Sequence, residues 1–177
     1  MSLTIREFWT SAHGMIFGAV FLLSFAGGLA GLYSLRPAYL TAAGMKERLL
    51  RLKWGTGVMA FIAWLTVLSG TYLVYPWYRA TPPEGLTDLS DFPRSSLLAD
   101  PAVSGWHTFG MEWKEHVAWF APILATAVFY IVLKYGPQLA KDDRLRKMAI
   151  VLFVLAFVAA GIAGLFGALI TKAAPVM

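Results

Sequence analysis

The metal-ligating nitrogens of this chain are confined to three histidines, His13, His107 and His116. Cysteine is absent, which removes disulfides, thiolate-held zinc, iron–sulfur clusters and thioether-linked cofactors from its chemistry. Two of the histidines lie in GWHTFGMEWKEHVAWF, residues 105–120, where polar sequence runs into a long apolar segment. On a helix, Glu112 and His116 are four apart and share a face. With Glu115, His107 and His13 they form a possible mixed nitrogen–oxygen set for zinc, copper or iron. A di-iron bundle needs Glu-x-x-His on two helices. Here the acids precede His116 by one and four residues, and no second copy exists. The same two acids also suit a wet first helical turn, where they oppose the positive end of the helix dipole.

What positions these residues is a membrane. Of 177 residues, 58% are hydrophobic and 14% charged, against about 25% charged in a soluble domain. Charge-free stretches run over 8–35, 54–78, 116–133 and 148–171. Each reaches the roughly 18 to 20 residues a helix needs to cross the hydrocarbon. None alternates as a barrel strand would. The expected fold is therefore all-α, an up-down four-helix membrane bundle in one domain over 1–177. Its helices are expected at about 4–36, 49–75, 111–134 and 144–171, with a long loop over 77–110. Thr4 and Glu7 have the spacing of a capping box at the first helix start. Pro122 is expected to kink the third helix. A short helix is expected from Pro93, capped by Asp91 or Ser90. The first apolar run reads as a retained helix rather than a cleaved signal.

Net charge is +5, but its distribution speaks against nucleic acid. Ten of the fifteen basic residues fall in two short loops, 36–53 and 134–147. That is the positive-inside pattern. It places both termini and the long loop on the periplasmic side of a bacterial inner (cytoplasmic) membrane, with the lipid bilayer as the first partner.

In this topology His13 and His116 stand at the outer ends of the first and third helices, diagonal in the bundle. His13 precedes Arg36 by 23 residues, about 34 Å of helix, and His116 precedes Lys134 by 18, about 27 Å. The two imidazoles thus lie at nearly one level. A single haem b needs this: one neutral imidazole on each face, from opposite sides of a cavity. Gly14, Gly18, Gly70, Gly164 and Gly167, all in the outer half, give room for a porphyrin. Arg79 and Lys114, with Lys172, Tyr75 and Tyr78, would meet its propionates. Glycines at this spacing also serve plain helix packing. His107 and Met111 are alternative axial ligands, and Glu112 an alternative metal ligand.

This pattern, with His13 and His116 as candidate ligands, resembles the small four-helix membrane b-type cytochromes over the whole chain. The resemblance implies an iron-dependent electron-transport protein. Members that pass electrons across the bilayer carry two haems. This chain has no histidine for an inner one, so the resemblance implies one haem on the outer side. Its electrons would be exchanged with quinol (quinone) or a periplasmic cytochrome or other redox protein docking on the outer loop. If the chain is catalytic, the reading is a quinol-linked oxidoreductase subunit. Two other readings stand beside it. One is a cofactor-free accessory or assembly subunit, packed against other membrane subunits or as a homo-oligomer. The other is a non-haem metal protein.

Overall fold

The computed structural model describes residues 3–175. Among them every regular element is helical. Four helices are long and apolar enough to cross a membrane: α1 Ile5–Ser34, α2 Gly44–Tyr78, α4 Trp106–Lys141 and α5 Asp143–Ala173. The short helix α3, Pro93–Ala99, lies in the connection between α2 and α4.

Local sequence explains most boundaries. At the start of α1 the Thr4 hydroxyl accepts from the Glu7 N–H (3.2 Å), and the Glu7 carboxylate accepts from the Thr4 N–H (2.7 Å). This is the expected capping box, satisfying two otherwise orphaned donors. α3 begins at Pro93, whose missing N–H costs nothing in a first turn. Its cap is Phe92, without a side-chain bond. Neither Ser90 nor Asp91 caps it; Asp88 instead accepts from the Ser90 N–H. In α4 the helix breaks into a turn at Ala118–Trp119. Ala118 lies four residues before Pro122, the carbonyl a proline ring disturbs and cannot bond. A second irregularity sits at Tyr135 (φ −118°, ψ 16°), two residues before Pro137.

The helices outrun the expected bounds at their charged ends. Helical structure of the second span begins at Ala42 rather than about 49. The third span continues through Pro137 to Lys141 rather than ending near 134. Water satisfies charged side chains beyond the hydrocarbon, so a helix need not stop where apolarity does. Local pairs hold these extensions, among them Arg51 with Glu47 at 2.5 Å and Arg48 donating to the Ser34 carbonyl at 3.0 Å.

The chain divides into two compact units. One comprises Ala19–Trp64 and Phe120–Ala160. Its interior holds Leu32, Leu52, Met59, Val128, Val132 and Phe153, all essentially inaccessible. Lipid tails are as apolar as these side chains, so close contact rather than water exclusion drives the fit. Gly28 meets Phe153 so tightly that a β-carbon there would lie 2.6 Å from the ring tip. Phe25 stacks on Phe157 with centroids 4.0 Å apart. The polar keystone of this unit is the buried Arg146, which donates to the carbonyls of Leu35 (3.1 Å) and Leu139 (2.9 Å) and pairs with Asp143. The other unit comprises Met1–Gly18, Leu65–Trp119 and Gly161–Met177. Leu97 of α3 is fully buried there, with Tyr78, Met111, Ile170 and Ala174. This unit contains all three histidines.

Candidate functional site

All residues singled out for ligation or cofactor contact belong to the histidine-bearing unit. Three stretches of its helical backbone are wider than α-helix. π-Helical segments occur at Ala12–Ile16, Gly70–Val74 and Trp106–Met111. Such wide turns are rare and recur at functional sites, because they re-aim side chains at the cost of weaker backbone hydrogen bonding. One carries His13, one starts at Gly70 and one carries His107 and Met111.

His13 points at α2. Its ring lies where Gly70 has no side chain; a β-carbon at 70 would sit 2.7 Å from His13 Cε1. Gly70 therefore makes room for an imidazole. His13 Nδ1 is 3.1 Å from the Ser69 hydroxyl. Ser69 donates its single proton to the Thr66 carbonyl at 3.1 Å, and that carbonyl also lies close to the imidazole. With its proton on Thr66 the hydroxyl offers His13 Nδ1 a lone pair, an arrangement that suits the tautomer protonated at Nδ1. In the neutral ring the free lone pair is then on Nε2.

His116 reaches the same state by another route. Its Nδ1 is 2.7 Å from the Glu112 backbone carbonyl, which can only accept. Nδ1 is again the donor and Nε2 holds the lone pair. The His116 side chain is exposed, so this nitrogen is open to a ligand. The Glu112–His116 spacing thus acts through the backbone carbonyl of Glu112.

His107 is different. It is buried, with Nδ1 2.8 Å from the Tyr78 hydroxyl and Nε2 accepting from Arg94 Nε at 3.4 Å. Both nitrogens are engaged, and the ring ties α3 to the polar end of α2. Met111 is buried in the apolar cluster around Leu97. As ligands, both would first have to leave these contacts.

The charged residues separate into two groups. The Lys114 ammonium lies against Gly167, 2.9 Å from where a β-carbon would stand. It is within electrostatic range of His13 and makes no ion pair among the described residues. Arg79 donates to the Tyr75 hydroxyl at 2.5 Å and stands 3.9 Å from Glu115 Oε2. These partners, Tyr75 first, hold its guanidinium above its ordinary pKa. The second oxygen of Glu115 is buried without a hydrogen-bond partner among the described residues. Gly14, Gly18 and Gly164 face open space; no atom would touch a β-carbon at any of them. The structure thus joins His13 to Gly70 and Lys114 to Gly167, sets Arg79 with Tyr75 and Glu115, and leaves Gly14, Gly18 and Gly164 uncovered. Among the described residues no three His, Asp or Glu side chains are grouped closely enough to hold a metal ion by themselves.

Sequence reasoning missed Ser69, Tyr78 as a histidine partner, and Arg94. Ser69 left a signal, as a hydroxyl beside a glycine within an apolar run. Tyr78 and Arg94 left none, since both meet His107 only through tertiary packing. Comparison with protein-family models, with curated proteins and with solved structures finds no match to this chain.

Proposed function

We propose that this chain is a membrane electron-transfer protein that holds one haem b between His13 and His116. The membrane assignment rests on its four apolar helices. We further read the spans as an up-down bundle in a bacterial inner membrane, with both termini and the α2–α4 connection on the periplasmic side, because basic residues crowd the other two loops.

One observation carries the cofactor reading: the hydrogen bonds of the three histidines. His116 Nδ1 donates to a backbone carbonyl and His13 Nδ1 faces the Ser69 hydroxyl, contacts that suit a neutral imidazole with its lone pair on Nε2. An outer-shell acceptor on the distal ring nitrogen is how proteins fix the tautomer and orientation of a metal-binding histidine. His107 has neither nitrogen to spare. The residues therefore suit a group that needs exactly two axial imidazoles, and no larger ligand cluster is required. When bound, haem supplies reversible one-electron chemistry at its iron. The chain's own residues do the rest. Ser69 and the Glu112 carbonyl orient the rings, Gly70 gives His13 its place, and Lys114 offers an unpaired cation to a propionate. With both axial positions filled, no site remains for oxygen to bind. Quinol or a periplasmic redox protein is the proposed electron partner.

The test is a reduced-minus-oxidised spectrum of the purified protein with haem quantified per chain. The expected result is one haem per chain with a sharp α-band. His13→Ala and His116→Ala each abolish it, and His107→Asn retains it. A colourless protein, or full haem content in either alanine variant, overturns the reading. A colourless protein that co-purifies with other membrane subunits would establish the accessory role instead; the low coverage of α1, 17% buried over its most apolar window, leaves surface for such a partner.

A further inference from the structure

Outside the histidine-bearing unit, one surface combines two chemistries. A groove of about 650 Å³ runs along the start of α5, lined by Asp143, Arg144, Lys147, Met148, Val151 and Leu152. These positions are spaced by three, four and one, so they fall on one helical face. The face changes character along its length. Arg144 and Lys147 stand in the first turn and a half, and Met148, Val151 and Leu152 follow. At 1.5 Å per residue the six positions span about 14 Å. That is the depth over which a bilayer passes from headgroups into acyl chains.

The charge balance of the groove is positive. Asp143 is already engaged by Lys147 at 2.6 Å and by Arg146. Arg144 is exposed and makes no ion pair among the described residues. The helix start adds the positive end of its dipole. Met148 and Val151 are half exposed, at 50% and 55%, which is costly only in water.

We propose that this groove is a binding site for one anionic phospholipid, its phosphodiester against Arg144 and Lys147 and an acyl chain along Met148, Val151 and Leu152. A zwitterionic lipid satisfies the apolar part equally but brings its own cation to Arg144. A free phosphate satisfies Arg144 but leaves the apolar part bare. The proposal is independent of the haem reading, since no histidine takes part.

Native mass spectrometry of the whole protein, released from detergent with equal amounts of phosphatidylglycerol and phosphatidylcholine of identical chains, tests it. The expected result is one retained lipid, with phosphatidylglycerol preferred. Arg144→Gln lowers that preference about fivefold, the factor one cation near an anionic surface contributes. Lys147→Gln lowers it less, because Lys147 is shared with Asp143. Val151→Trp fills the groove and lowers retention of both lipids with the charges intact. Equal retention of the two lipids by the unmodified protein overturns the proposal, as does an unchanged preference in Arg144→Gln. Displacement of the lipid by millimolar inorganic phosphate would assign the site to a free anion and overturns it as well.

Discussion

The two compact units use the same kind of helix for different ends. Among its described residues the unit built from Ala19–Trp64 and Phe120–Ala160 contains no π-helical turn, buries Leu32, Val128, Val132 and Phe153 completely, and has at its polar centre Arg146, held by two backbone carbonyls and Asp143. The unit built from Met1–Gly18, Leu65–Trp119 and Gly161–Met177 contains three π-helical segments and, among the described residues, an ammonium without an ion pair and a buried carboxylate oxygen without a hydrogen-bond partner. The first anchors that cation on two backbone carbonyls, while Arg36 Nε is buried there without a hydrogen-bond partner among the described residues. The second keeps backbone irregularity and unfilled hydrogen-bonding capacity beside its histidines. Unsatisfied buried polar groups are rare enough to require an explanation; among the described residues two of them, Thr10 Oγ1 and Glu115 Oε1, lie in the histidine-bearing unit.

The sharpest break in this comparison removes the Arg146 guanidinium. Arg146→Met keeps much of the volume but strands the Leu35 and Leu139 carbonyls. Each buried unsatisfied group costs about 1–3 kcal/mol, so the loss should be about 2–6 kcal/mol. Thermal unfolding in detergent, followed by circular dichroism, measures it. Haem per folded chain should not change. A variant of normal stability that lacks haem would mean that the packing unit serves the cofactor directly.

A smaller effect is expected from Ser69→Ala. It removes the acceptor for His13 Nδ1–H and little volume. Loss of an outer-shell partner lowers metal affinity about 10- to 100-fold. Haem titration of the apoprotein should show that decrease, while thermal unfolding of the apoprotein moves little. An unchanged affinity would mean that Ser69 does not set the tautomer, and the assignment of His13 as ligand would lose its support. His116 has no equivalent variant, since its acceptor is a backbone carbonyl.

What could be read from sequence follows from range. The four spans were legible because hydropathy acts along the chain. So were the Thr4–Glu7 cap and the helix at Pro93, which depend on neighbours three residues apart or fewer. The three histidines stood out as candidates because the chain has so few nitrogens of that kind. The start of the second span was misplaced because Lys46, Glu47 and Arg48 look like a loop, although on the helix Glu47 pairs with Arg51 at i,i+4 and Arg48 donates to the Ser34 carbonyl. The burial of His107 was not legible. It depends on Tyr78 and Arg94, 29 and 13 residues away. The π-helical segments left no trace either, since one extra residue per turn does not alter an apolar run.

A third prediction returns to the start of the histidine-bearing unit. Thr4→Ala removes one half of the capping box and exposes the Glu7 N–H. The cost of losing such a cap is about 1 kcal/mol. Hydrogen exchange at residues 5–8 should rise accordingly, with the haem spectrum unaltered, because His13 lies more than two turns further on. A spectral change would show that the first turn helps to aim His13.

The smallest effect belongs to the packing unit. Glu47 and Arg51 form an i,i+4 pair at 2.5 Å, with side chains 62% and 78% exposed. The acid precedes the base, the better order on a helix, yet such pairs contribute only about 0.3–0.5 kcal/mol. Glu47→Gln should therefore shift unfolding barely above error at low salt and not at all at 1 M, where the screening length falls to about 3 Å. A loss that survives high salt would mean that Glu47 has a partner besides Arg51.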